Sequence, residues 1–225
     1  MYSRDYLVRM IEQMTQTLGQ LLGLKVERKE AQALLTINEL WGKWFRLNSR
    51  LAGTLSEKDL ISMLSVNGNV ESVPLQMAGV LLKEEGDFFE RQGHDDESYR
   101  RRVKSLQLFL AASENGTDKE PIDGNAHIDD LLASLRRYQL PESVCERLWR
   151  HFEREGQFAK AEDLLFEWID MHRLSDGDFH AADAVAQGVA FYERLLSNED
   201  DALEDGNLPR AEVLEGLRKL QTAAE

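Results

Sequence analysis

Residues 81–110 read LLKEEGDFFERQGHDDESYRRRVKSLQLFL, and residues 144–171 read VCERLWRHFEREGQFAKAEDLLFEWIDM. Laid over each other on Gly93 and Gly156, the two stretches share a plan: an amphipathic segment carrying an aromatic, a glycine turn, and a second amphipathic segment. Phe89 then aligns with Phe152 and Ser98 with Ala161, while Gly86 meets Trp149 and Ser105 meets Trp168. Apolar residues recur at three- and four-residue intervals in both halves of each stretch, which predicts two helices per copy. The turn glycine supplies a backbone conformation costly for other residues. Small residues on the second helix let the two axes approach, and Phe89 and Phe152 are expected to fill the groove against the neighbouring pair. Where Trp149 and Trp168 stand in place of small residues, the packing has to differ.

Helix is also the dominant period elsewhere. Leu7, Ile11, Met14, Leu18 and Leu21 form a stripe over 5–22, and Ala31 to Phe45 a broader one over 27–46, followed by a short helix near 56–64 with Ser56 as its cap and Asp59 three residues on. Further helices are expected at 74–92, 95–113, 126–139, 142–155, 158–172, 179–197 and 208–223. A degenerate third copy begins at Gly188 and Phe191 and resumes at Gly206, Leu208 and Ala211. The NGN at 67–69 is a turn without the alternating flanks of a hairpin. The segment 114–125, ENGTDKEPIDGN, reads as a linker between an N-terminal helical region, 1–113, and a C-terminal one, 126–225. The fold class is all-α, with no room for a sheet.

The paired pattern resembles the tetratricopeptide repeat, which implies antiparallel helix pairs stacked as a right-handed superhelix, one continuous solenoid, with first-helix side chains turned into a concave groove. The resemblance places Lys83, Asp87, Glu90 and Arg91 of one copy, and Glu146, Arg150, Glu153 and Arg154 of the other, in that groove. The mixed charge suits a polar peptide. The asparagines and lysines with which some relatives clamp a terminal carboxylate are absent. The chain as a whole, above all RDYLVRMIEQMTQTLGQLLGLK at 4–25, is also similar to a group of uncharacterised bacterial proteins, mainly from Gram-positive genomes.

Charge bears on the partner. The chain has 27 Lys+Arg against 41 Asp+Glu, a net charge of -14, and residues 94–225 hold 16 of the former against 29 of the latter. A nucleic-acid backbone wants a basic face, so a nucleic-acid partner is not expected. The one dense basic cluster, Arg100–Arg102, spreads over most of a helical turn, and pairing with Asp95, Asp96 and Glu97 is the preferred reading over a phosphate-binding patch. A single thiol, Cys145, permits no internal disulfide and reads as a packing residue in a reducing compartment, so a cytoplasmic, membrane-free protein is expected.

Nothing in the sequence assembles catalytic machinery. The five histidines, at 94, 127, 151, 172 and 180, show no metal-binding spacing, and Asp95 or Asp96 beside His94 serves as a helix cap. Asp176, Asp178 and His180 lack the offsets of a calcium loop, and the acidic run Glu199–Asp205 reads as a solvated loop. No metal or other cofactor and no enzymatic activity are expected. The leading reading is a non-enzymatic protein- or peptide-binding scaffold. The alternatives are a peptide-sensing transcription regulator using 57–82 as a DNA-binding helix pair, with PLQMAGVLLK as its reading helix, and an unrecognised enzyme. The stripe on helix 5–22, with Tyr2, Tyr6, Met10 and Leu22 beside it, needs covering, either by helix 27–46 or by a homodimer through the N-terminal helices.

Overall fold

A computed structural model describes residues 29–65, 70–115, 122–174 and 178–223, with 8–9, 11–13, 15–17 and 19 near the N-terminus. All its regular structure is helical, and no strand occurs among the described residues. The described positions between 8 and 19 are helical and are followed by α1 (Glu30–Leu40), which continues as a π-helical turn over Trp41–Phe45, and by α2 (Ser49–Thr54), α3 (Glu57–Leu64), α4 (Ser72–Arg91), α5 (Asp95–Asn115), α6 (Gly124–Leu135), α7 (Glu142–Arg154), α8 (Phe158–Leu174), α9 (Asp178–Leu195), α10 (Asp200–Asp205) and α11 (Arg210–Ala223). The chain divides into two compact units, 1–139 and 140–225. Among the described residues no helix is long and apolar enough to cross a membrane.

In the first unit α4 and α5 pair along their whole length. A side chain at Gly86 would put its Cβ 2.8 Å from Arg102 Cγ, and one at Gly79 would meet Phe109 at 2.9 Å, so both positions are small because a helix lies against them. Ser105, at the position expected to be small, is fully buried and donates from Oγ to the Gly79 carbonyl at 2.6 Å. Phe88 is the fully buried aromatic, whereas Phe89, expected to fill the groove, is half-buried with the Arg101 guanidinium 5.6 Å from its ring centroid.

The capping read at Ser56 is present: its Oγ accepts from Asp59 N at 3.1 Å and donates to Asp59 Oδ2 at 2.6 Å. Helix α2 had no periodic signal, being six residues long; Asn48 caps it by accepting from Leu51 N at 2.8 Å. His94 rather than Asp95 or Asp96 stands before α5, its carbonyl accepting from Ser98 N at 3.0 Å, while both aspartates lie within the first turn and face the positive end of the helix dipole. That corrects the capping assignment.

In the second unit α7 pairs with α8, α8 with α9, and α9 with α11. Trp149, fully buried, stands 6.2 Å from the Trp168 ring and 6.1 Å from the Phe191 ring. Burying one aromatic of this size stabilises by roughly 2–3 kcal/mol. Gly188 gives α9 its close approach to α11, since a Cβ there would lie 2.5 Å from Leu220 Cδ1. The acidic run is not a loop throughout: Asp200–Asp205 form α10, anchored by the buried Leu203. Cys145 is buried, and burial pushes its thiol up to about 12.

Both turn glycines have left-handed backbones, Gly93 at φ +76° and Gly156 at φ +70°. They close the same pair of hydrogen bonds: His94 N to Phe89 O and Gln157 N to Phe152 O, both 2.9 Å, with Gly93 N to Glu90 O at 2.9 Å and Gly156 N to Glu153 O at 3.2 Å. A third such turn ends α10. Its left-handed residue is Asn207, φ 56°, with Leu208 N on Leu203 O at 3.0 Å and Asn207 N on Glu204 O at 2.9 Å. Gly206 is small for another reason, because a Cβ there would lie 2.6 Å from the Gly156 carbonyl and 2.3 Å from Phe158 Cδ2.

Of the N-terminal stripe only Ile11 is described, and it is half-buried; Leu7, Met14, Leu18, Leu21, Tyr2, Tyr6, Met10 and Leu22 lie outside the described residues, as do Asn67–Asn69 and Asp176 and the side chains of Asp178 and His180. Trp41 and Trp44, in the π-helical turn that ends the following helix, are buried.

Candidate functional site

The two sets of first-helix residues that the repeat register points into a groove meet different surroundings. In the first unit they are tied to neighbouring helices. Lys83 Nζ donates to Asp130 Oδ2 on α6 at 2.7 Å and lies 3.5 Å from His127 Nδ1, whose ring stacks on Phe109 at 4.8 Å. That hydrogen bond holds the Asp130 carboxyl below its usual range, and burial, with the Lys83 charge behind it, holds His127 below its own. Asp87 and Glu90 both receive the Arg102 guanidinium, at 2.9 and 2.6 Å, and Glu90 also receives Arg137 at 3.1 Å. Arg91 lies with its guanidinium 5.9 Å from the Phe88 ring centroid.

The arginine cluster is turned inward. Arg101 pairs with the fully buried Glu85 at 2.8 Å and donates to the Ser49 carbonyl at 2.8 Å, while Glu85 also accepts from Trp41 Nε1 at 2.9 Å. Burial raises Glu85 above the usual carboxylate range, the Arg101 charge opposing it. Arg102 reaches back to α4, and only Arg100 makes the expected bridge to Glu97, at 3.1 Å. Arg101 comes no nearer Glu97 than 4.0 Å, so the expected pairing with 95–97 holds fully for one arginine in three. The physical reason is the absence of a side chain at Gly86, which admits Arg102 beside α4. Lys104 Nζ caps the carboxyl end of α2, donating to the carbonyls of Ala52 at 3.1 Å, Gly53 at 2.6 Å and Leu55 at 2.5 Å.

In the second unit three of the four residues border an open cleft of about 620 Å³: Arg150, Glu153 and Arg154 on the last turns of α7 line it with Arg194, Asn198 and the start of α8 at Phe158. Glu146 is not among the lining residues but positions one of them. Arg150 Nη2 donates to Glu146 Oε1 at 3.0 Å and to Gln187 Oε1 at 2.6 Å, and its guanidinium lies over Trp149, 4.4 Å from the ring centroid. Arg194 grips Glu153 with Nε and Nη2 at 2.7 and 2.9 Å, the bidentate geometry of a strong ion pair, and this hydrogen bond raises the Arg194 pKa. Arg154 is exposed.

Sequence reasoning missed Arg194 and Asn198, which reach the cleft from the end of α9 and the turn after it, and Gln187, which holds Arg150 from α9. The one local signal is that Arg194, like Arg154, falls in the last turn of its helix, where a cation meets the negative end of the dipole.

A smaller cleft, about 440 Å³, is bordered by Glu162, Tyr192, Glu212, Glu215 and Lys219. Tyr192 donates to Glu162, and burial followed by that bond raises the phenol's pKa. Among the described residues no three His, Cys, Asp or Glu side chains are placed to hold a metal ion.

A family model described as a family of unknown function (DUF6483) matches residues 1–225, and the chain belongs to that family. No curated protein and no solved structure matches it.

Proposed function

We propose that this protein is a non-enzymatic scaffold that binds a protein or peptide through helix pairs of tetratricopeptide type. The observation that carries the reading is the cleft of about 620 Å³ bordered by the ends of α7 and α9, open to solvent and lined by side chains already held in place by neighbours. Prepositioned polar groups around an open concavity lower the ordering cost of binding an extended chain. The matching left-handed turns at Gly93 and Gly156 and the close helix approach at Gly86 and Gly188 support the repeat reading within each unit.

A DNA-reading role is the weaker alternative. The stretch that would serve as a reading helix is buried continuously from Pro74 to Leu82, which leaves it no face for a groove. The deeply buried thiol of Cys145, the only one in the chain, suits the bacterial cytoplasm.

The test is capture from the lysate of the cell that expresses the protein, with and without nuclease. A specific polypeptide retained equally in both supports the scaffold. Retention that disappears with nuclease favours the regulator. Light scattering on the purified chain, of 25.8 kDa, reports in the same preparation whether the N-terminal helices pair two copies.

A further inference from the structure

Resting on the scaffold reading, we infer that the cleft of the second unit recognises a single oxyanion side chain, carboxylate or phosphoryl, carried on its peptide partner.

A guanidinium has five N–H donors in a rigid plane. Arg150 spends two of its five on Glu146 and Gln187, both from Nη2, and its guanidinium carbon lies 4.4 Å from the centroid of the Trp149 ring. Arg194 spends two on Glu153, from Nε and Nη2. Nη1 of each makes no hydrogen bond among the described residues, and Arg154 adds a third guanidinium that makes none. The cleft therefore presents three guanidiniums against the one carboxylate of Glu153, in a unit that carries 9 Lys+Arg and 20 Asp+Glu overall. Two of the three are immobilised before any ligand arrives, which is what planar, bidentate binding of an oxyanion needs.

Helix-end arginines also answer the dipoles of their own helices, but that role needs neither the stacking of Arg150 on Trp149 nor its anchoring by a residue of a different helix. The surroundings narrow the ligand. Immediately beyond Asn198 the chain continues into Glu199, Asp200, Asp201, Glu204 and Asp205, all exposed. This acidic run, which follows the cationic cleft in the chain and of which Asp200 is paired with Arg210, repels a polyanion more than a single charged group, so discrimination against nucleic acid comes from that repulsion.

Fluorescence anisotropy of the full chain tests this with three labelled decapeptides of glycine and serine that differ only at the central position: serine, glutamate or phosphoserine. The expected result is that the phosphoserine or the glutamate peptide binds at least tenfold more tightly than the serine peptide, whichever of the two is stronger naming the source of the oxyanion. Arg154→Gln, at an exposed position with no hydrogen bond among the described residues, weakens that binding about tenfold with an unchanged circular dichroism spectrum, and Arg150→Gln does the same. Equal affinity for all three peptides, no binding of any, or wild-type affinity in R154Q overturns the inference. So does a ten-nucleotide single strand, or inorganic phosphate alone, that binds more tightly than the best peptide. The scaffold reading is tested separately: if the double variant R150Q/R154Q captures the same cellular polypeptide as the wild type, the scaffold stands and the oxyanion cleft falls, and if the wild type captures no polypeptide the scaffold itself falls.

Discussion

The helix pairs 72–115 and 142–174 end their first helices in the same turn and differ in the chemistry set within their apolar interiors. Between α4 and α5 an otherwise apolar interior holds ion pairs: the buried Glu85 with Arg101, and the buried Arg102 with the partly exposed Asp87 and Glu90. Between α7 and α8 they are aromatic, Trp149 against Trp168 with Phe191 behind. The divergence starts at one aligned position. At Gly86 the lack of a side chain lets Arg102 lie beside the helix, whereas the indole of Trp149 fills that space itself. The backbone device thus sets where a helix stops, and the residue seven positions before the turn sets what kind of interior follows.

The comparison breaks most visibly at the indole. Trp149→Ala is expected to cost about 3–5 kcal/mol in urea unfolding followed by far-ultraviolet circular dichroism, because the rings around it cannot collapse into the space. A loss below 1 kcal/mol would mean that the aromatic interior is not what holds this pair. Glu85→Gln comes next, at about 3 kcal/mol, since it keeps the neutral acceptor for Trp41 but leaves Arg101 buried without its counter-charge.

The shared turn gives smaller, matched effects. Gly93→Ala and Gly156→Ala should each lose about 1 kcal/mol, equal to within about half of that, because both force a side chain into the left-handed region. Clearly unequal losses would break the equivalence of the two turns. Asn207→Gly at the third turn should stabilise by a few tenths of a kcal/mol, up to about 0.5.

The smallest effect is a pH dependence confined to the first unit. The folded pKa of His127 lies below its ordinary value, so the unfolded chain binds the proton more readily. Its contribution is fully present above about pH 6.5 and is lost as pH falls through the folded value. His127→Phe keeps a ring on Phe109, and its unfolding free energy should fall less between pH 6.5 and 5 than that of the wild type. Parallel curves would remove His127 from the account.

What was legible in the sequence was local. A left-handed turn residue, a Ser56 cap and a three- or four-residue period are each written within a few positions, and the turns at Gly93 and Gly156 are where the alignment put them. Helices α2 and α10, at six residues each, are too short to show a period, and they hold by Asn48, Leu203 and contacts from distant segments. The Glu85–Arg101–Ser49 network spans residues far apart in sequence, so no local pattern announces it. At the candidate cleft the register found Arg150, Glu153 and Arg154 and missed Arg194 and Asn198, which line it, and Gln187, which holds Arg150; only tertiary packing brings these into place.

The four tryptophans fall two to each unit, Trp41 and Trp44 in the first and Trp149 and Trp168 in the second. They also sit in unlike settings. The Trp41 indole N–H is bonded to a buried carboxylate, while Trp149 and Trp168 face each other across 6.2 Å with neither N–H partnered among the described residues. Emission wavelength follows the polarity around an indole, and two indoles this close couple their transitions in the ultraviolet. Each half of the molecule therefore carries its own native tryptophans, so that replacing one pair with phenylalanine leaves an unlabelled protein whose tryptophan emission comes from a single half.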